Sequence, residues 1–137
     1  MTLGRIMGLD YGTRRIGVAM SDALGITAQP FAVLDAKSRD LSSEFRSLVE
    51  DNDVELVVVG LPVNLSGADT QSTDGARQLA TRVAEVTGLP VRLADERFTT
   101  KTAEQTLIGA NVRRRKRKQV IDKVAAAVML QNYLDGL

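Results

Sequence analysis

Apolar positions in the first third of the chain come in three short runs. Arg5 to Leu9 is the first, Ile16 to Met20 the second, and Phe31 to Leu34, after Pro30, the third. Tyr11-Gly12-Thr13 is a turn signal, so the first two runs predict a hairpin. Leu41, Phe45, Leu48 and Val49 then recur at i, i+4, i+7 and i+8, the spacing of one helix face, with Ser38 or Asp40 as an N-cap. Val54 to Val59 holds the unbroken run Leu56-Val57-Val58-Val59, expected of a strand buried on both faces and ended by Gly60-Leu61-Pro62. Asn64 to Ser72 is polar and reads as a loop. Ala76, Leu79, Val83 and Val86 mark a second helix, closed by Gly88 and Pro90. Val91 to Asp95 is a fifth strand, and Thr99 to Ala110 a third helix with Thr99 or Thr100 as its cap. Gln119 to Leu134 is a final, strongly apolar helix.

This order, β-β-β-α-β-α-β-α-α, predicts an antiparallel meander followed by two strands that arrive through helices. Those two should pair in parallel by right-handed crossover. The expectation is an α/β fold, a five-stranded mixed sheet with helices on both faces, which is the ribonuclease H-like order of elements. With 137 residues, 44% of them hydrophobic, the chain reads as a single domain over 1–137. No run of 18 apolar residues predicts a membrane span, and Met1 to Leu9 lacks a signal-peptide pattern. The expectation is a cytoplasmic protein with no membrane partner.

Two zero counts narrow the chemistry. Without Cys there is no thiolate nucleophile, disulfide or iron–sulfur cluster. Without His there is no Ser-His-Asp triad and no imidazole metal ligand. A metal here must sit among oxygens, which favours Mg²⁺, Mn²⁺ or Ca²⁺.

Three carboxylates stand in unexpected places. Asp10 ends the first strand, expected to be central in the sheet, and Gly8 leaves space on the same strand face. Its plainer reading is a turn residue. Glu96 ends the fifth strand in Asp95-Glu96-Arg97, and alternation lets only one of Asp95 and Glu96 face the first strand's acid. The plainer reading there is a pair with Arg97. Asp122 and Lys123 are the only charges between Val120 and Leu134, and Ala126 lies one turn further along the same face. Its plainer reading is a first-turn acid favoured by the dipole of a helix that starts near Gln119. Acids from two strands and a helix that converge at one end of a sheet repel each other unless cations occupy them. Two divalent ions in such a cluster suit in-line displacement at a phosphodiester.

Four blocks carry a resemblance. Asp10-Tyr11-Gly12-Thr13-Arg14-Arg15-Ile16-Gly17-Val18-Ala19 is the first and Gly60-Leu61-Pro62-Val63-Asn64 the second. Asp95-Glu96-Arg97-Phe98-Thr99-Thr100 is the third. The fourth is Asp122-Lys123 before an Ala-rich helix ending Leu130-Gln131-Asn132-Tyr133-Leu134. In this order, over nearly the whole chain, they resemble the YqgF/RuvX family. The resemblance implies a ribonuclease H-like fold and a metal-dependent nuclease. Its usual assignment is maturation of the 5′ end of 16S ribosomal RNA. A second, by similarity to the RuvC resolvases, is cleavage of Holliday junctions. Carried onto this chain, Asp10, Glu96 and Asp122 become the catalytic and metal-binding acids, with Mg²⁺ or Mn²⁺ as cofactor. Glu96 is preferred to Asp95 because the resolvases place a Glu there.

Charge supplies the candidate substrate contacts. Arg113, Arg114, Arg115, Lys116, Arg117 and Lys118 are consecutive, and removing them from the 18 basic residues leaves 12 against 17 acids. A mildly acidic body thus carries one basic patch, either a solvated linker or a phosphate-binding segment. If all six met duplex phosphates, log K would fall with log salt at a slope of about −5. Arg14 and Arg15 flank the hairpin near Asp10, Asn64 follows a strand end, and Arg97 adjoins Glu96. Aromatic residues are only 4%, too few for a base-stacking platform, so backbone and shape are the expected targets. The partner is then precursor ribosomal RNA or branched DNA, bound by a monomer or a homodimer. A junction resolvase needs two opposed sites, which a symmetric dimer supplies.

Two rival readings remain. Gly8-Leu9-Asp10-Tyr11-Gly12-Thr13 also looks like the first phosphate loop of the sugar kinase, actin and Hsp70 ATPases, but no second such loop and no Walker motif follows. The basic run alone would suit a non-catalytic nucleic-acid-binding module.

Overall fold

The computed structural model describes residues 4–61, 71–95 and 114–137. In chain order these form β1 (Arg5–Asp10), β2 (Arg15–Ser21), β3 (Ala28–Asp35), α1 (Leu41–Asp51), β4 (Val54–Leu61), α2 (Gln71–Thr87), β5 (Val91–Asp95) and α3 (Arg114–Asp135). The expected helix over 99–110 lies outside the described residues.

The five strands make one sheet in the order β3-β2-β1-β4-β5. β1 pairs antiparallel with β2 and parallel with β4, β2 pairs antiparallel with β3, and β4 pairs parallel with β5. The meander and the two parallel additions are as the sequence predicts. β1 is central, so Asp10 ends the strand with neighbours on both sides.

Strict alternation sorts the side chains. Met7, Leu9, Ile16, Val18, Val57 and Val59 face one side and are covered by α1 and α2, with Leu41, Phe45, Leu79 and Val83 buried among them. Ile6, Ala19 and Val58 face the other side, under Ala126, Ala127, Met129, Leu130 and Leu134 of α3. Each fully buried Val, Leu or Phe contributes about 1.5–3 kcal/mol, so both layers stabilise the fold. Gly88, at a φ of +71°, ends α2 in the left-handed conformation that glycine takes at no steric cost, and its N–H donates to the Ala84 carbonyl.

The boundaries differ from expectation in three places. β3 begins at Ala28, before Pro30, because β3 is an edge strand and a missing N–H there leaves no ladder bond unmade. α2 already includes Gln71 and Ser72, read from sequence as loop. α3 already includes Arg114, five residues before Gln119, so most of the basic run is helical. No described helix is long and apolar enough to cross a membrane.

Candidate active site

The site is built on the α3 side of the sheet, at the carboxyl end of β1. Register places Asp10 opposite Gly17 on β2 and beside Gly60 on β4, which in turn pairs with Ala94 on β5. Paired residues share a face. The row Gly17, Asp10, Gly60, Ala94 therefore offers one carboxylate flanked by two residues without side chains and then a methyl group. This is a shallow cradle on the sheet surface with Asp10 as its one functional group.

α3 closes over this row. A Cβ built on Gly17 would overlap the backbone carbonyl oxygen of Asp122, and one built on Gly8 would lie 3.0 Å from the Leu130 Cβ. The helix comes this close because Gly8, Gly17 and Ala19 line the sheet beneath it, while Ala125 and Ala126 are its own buried contacts. The backbone of Asp122 thus sits on the cross-strand neighbour of Asp10. Asp122 lies on the same helix stripe as Ala126, Met129 and Leu130, at i+4, i+7 and i+8, and all three of those are buried.

The dipole reading of Asp122 is overturned. With α3 running from Arg114, Asp122 stands in its third turn, beyond the reach of the terminal dipole. Its partner is instead a cation that sequence reasoning set near Asp10. The Arg15 Nε–H donates to Asp122 Oδ2 at 2.6 Å, with the two side chains 35% and 25% exposed. Arg15 opens β2 two residues before Gly17, so alternation aims it at the same helix. A half-exposed pair of this kind contributes about 0–1 kcal/mol, so its effect is to fix the orientation of the carboxylate. The signal was in the sequence as Arg15 and Gly17 at i and i+2.

Of the other expected site residues, Arg14 is exposed immediately before β2, and its carbonyl accepts from the Ala36 N–H at 2.9 Å. Arg114, Arg115, Lys116, Arg117 and Lys118 occupy the first turns of α3. Asn64, Glu96, Arg97 and Arg113 lie outside the described residues. Among the described residues, no three acidic side chains gather into a metal-binding group. Few aromatic side chains are exposed among the described residues. Phe45 is fully buried, and the Tyr11 ring lies against Gly75 of α2, where an added Cβ would come within 2.5 Å of it. Among the described aromatics, Phe31 alone is largely exposed, at 45%.

Gln131, in the last of the four sequence blocks, has a structural reason. Its Oε1 accepts from the Ala28 N–H at 2.9 Å and its Nε2 donates to the Ile26 carbonyl at 2.9 Å. One side chain so ties the end of α3 to the start of the edge strand.

The sequence model of the RuvX family, described as Holliday junction resolvase, matches residues 4–136. A relative from Koribacter versatilis is 45% identical over 134 residues, covering 96% of this chain and 87% of its own. One from Halothermothrix orenii is 46% identical over 132 residues, covering 96% and 94%. Both bear the name "Putative pre-16S rRNA nuclease". Among solved structures, Thermus thermophilus RuvC in complex with a Holliday junction substrate superposes with a TM-score of 0.52 at 15% identity, covering 97% of this chain and 94% of that one. That likeness is one of fold, the ribonuclease H-like arrangement of sheet and helices. On the length and identity of these matches, the chain belongs to the RuvX family.

Proposed function

We propose that this protein is a divalent-metal-dependent nuclease that acts on structured nucleic acid, in the 5′-end maturation of the 16S ribosomal RNA precursor. The observation that carries the proposal is the glycine-flanked Asp10 with the Asp122 turn of α3 seated on its neighbour Gly17. The relatives' shared name supplies the substrate.

A hard cation fits this donor set. Asp10 and Asp122 offer oxygens only, and on the β4 side of Asp10 the row continues as Gly60 and Ala94, with nothing larger than a methyl group. In this reading Asp10, Asp122 and Glu96 hold Mg²⁺ or Mn²⁺. Glu96 is chosen over Asp95 because the resemblance to the resolvases places a Glu there. When bound, such an ion neutralises charge on the phosphodiester and lowers the pKa of the attacking water. Arg15 holds the Asp122 carboxylate in one orientation meanwhile. Cations at the amino end of α3 oppose the helix dipole, each at about 0.3–1 kcal/mol. That local cost is offset if the basic run meets phosphates, where Arg forms bidentate bonds. Arg14, Asn64 and Arg97 complete the proposed backbone contacts.

The family's description and the fold likeness to RuvC favour one second reading, cleavage of Holliday junctions. The test is to offer an end-labelled 16S precursor 5′ flank and a four-way DNA junction, each with Mn²⁺ or with EDTA. Cuts in the RNA that require metal support the maturation reading. Cuts confined to the junction, made by a dimer, support the second. Binding without cuts in either substrate overturns both and leaves a binding module.

A further inference from the structure

We infer that the concavity between the β2–β3 edge and α3 is a second phosphate site, which holds the nucleic-acid backbone away from the scissile bond. It has a volume of about 700 Å³. Arg14, Arg15, Lys37 and Lys123 line it, against one acid, Asp35. Asp35 keeps its negative charge while its Oδ1 accepts from the Lys37 backbone N–H at 2.9 Å, so the lining cations outnumber the one acid. Arg15 is committed to Asp122. Arg14, Lys37 and Lys123 remain, and among the described residues none of the three has a carboxylate partner. Three such cations around one hollow repel each other, and a polyanion relieves that repulsion.

The position of the hollow says which polyanion. Val33, on its floor, pairs with Gly17, so the hollow continues the row that runs through Asp10 and Gly60. Lys123 follows Asp122 directly, and Lys116 stands two turns before it on the same helix. A backbone seated here lies beside the Asp122 turn of α3, which covers Gly17 between the hollow and Asp10, so it reaches the carboxylate corner only around that turn. The hollow is too roomy for one small anion and suits a chain of phosphates. That choice of ligand rests on the nuclease reading, but the cluster of cations does not.

The test is equilibrium binding in EDTA, so that cleavage plays no part. A fluorescent RNA hairpin carrying a single-stranded flank is titrated with protein at several salt concentrations between about 50 and 200 mM. Each phosphate contact removed should lower the slope of log K against log salt by about 1. Lys37→Gln, at an exposed position, should lower it by about 1, and the double variant Lys37→Gln/Lys123→Gln by about 2. Arg46→Gln, on α1 and outside the hollow, should leave the slope unchanged. A slope equal to wild type in both lysine variants overturns the inference. So does a wild-type protein that fails to bind RNA at any of these salt concentrations. Because no metal is present, this result is independent of whether the protein cuts.

Discussion

Gly17→Ala isolates the contact that seats the Asp122 turn of α3 on the cross-strand neighbour of Asp10. The added methyl group meets a backbone oxygen, that of Asp122, which cannot rotate away as a side chain would. α3 must then lift from β2. Overpacking of this kind costs about 1–3 kcal/mol. The reduced entropy of the unfolded chain returns about 0.4–1 kcal/mol. The net expectation is a loss of about 1–2 kcal/mol, or about 3–8 °C in Tm for a domain of this size. Gly8→Ala is the control, because its new Cβ would sit 3.0 Å from the Leu130 Cβ, a milder approach that a shift of a few tenths of an ångström relieves. It should cost less than Gly17→Ala. Function should separate the two variants further. Displacing Asp122 by about 1 Å from Asp10 is enough to lower a cleavage rate about 100-fold, while the Leu130 contact lies two turns away along α3. Circular-dichroism melting gives the first number, and cleavage of the RNA substrate well below both melting points gives the second. A Gly17→Ala protein that melts with wild type and cuts at its rate would refute the close approach of α3 to β2.

Three further variants test other parts of the account. Ser21→Ala removes the buried hydroxyl that accepts from the Ile6 N–H at 2.8 Å, and the orphaned donor should cost about 1–3 kcal/mol in urea unfolding. Gln131→Ala should leave the sheet's centre intact but speed hydrogen exchange at the Ala28 amide, whose acceptor it removes. Asp22 accepts from the Ile26 and Thr27 N–H groups in the β2–β3 turn, which holds its carboxyl below the ordinary value of 3.8. A depressed value in the fold means stability that is present above pH 3.8 and lost as pH falls through the lower value. Asp22→Asn should therefore be less stable than wild type near neutrality, and the difference should vanish in acid melts well below pH 3.8.

The sheet was legible because its strands obey simple periodicity. Leu56 to Val59 reads as a buried strand, and Tyr11-Gly12-Thr13 as the turn of a hairpin, without any tertiary information. Asp10 and Asp122 were legible for a related reason, since each is a charge within an apolar block. What pattern could not reveal was pairing across the fold. The turn separates Arg15 from Asp10 in sequence by only a few residues, yet its partner is Asp122, 107 residues away. The role of Gly17 was equally hidden, because a missing side chain announces nothing until the helix above it is known. The start of α3 was misplaced because consecutive cations oppose the dipole at a helix amino terminus, a cost outweighed by their good helix propensity and the packing of the apolar stripe that follows. Pro30 misled in the same way, as a punctuation mark that an edge strand tolerates.

The central claim is that Asp10 and Asp122 form one metal-dependent cleavage centre. The direct measurement is the single-turnover cleavage rate at saturating Mn²⁺ for wild type, Asp10→Asn and Asp122→Asn, with RNA affinity measured in EDTA beside it. Loss of about 100-fold or more in rate for each variant, with affinity kept, is the predicted result. Wild-type rates in either variant would contradict it.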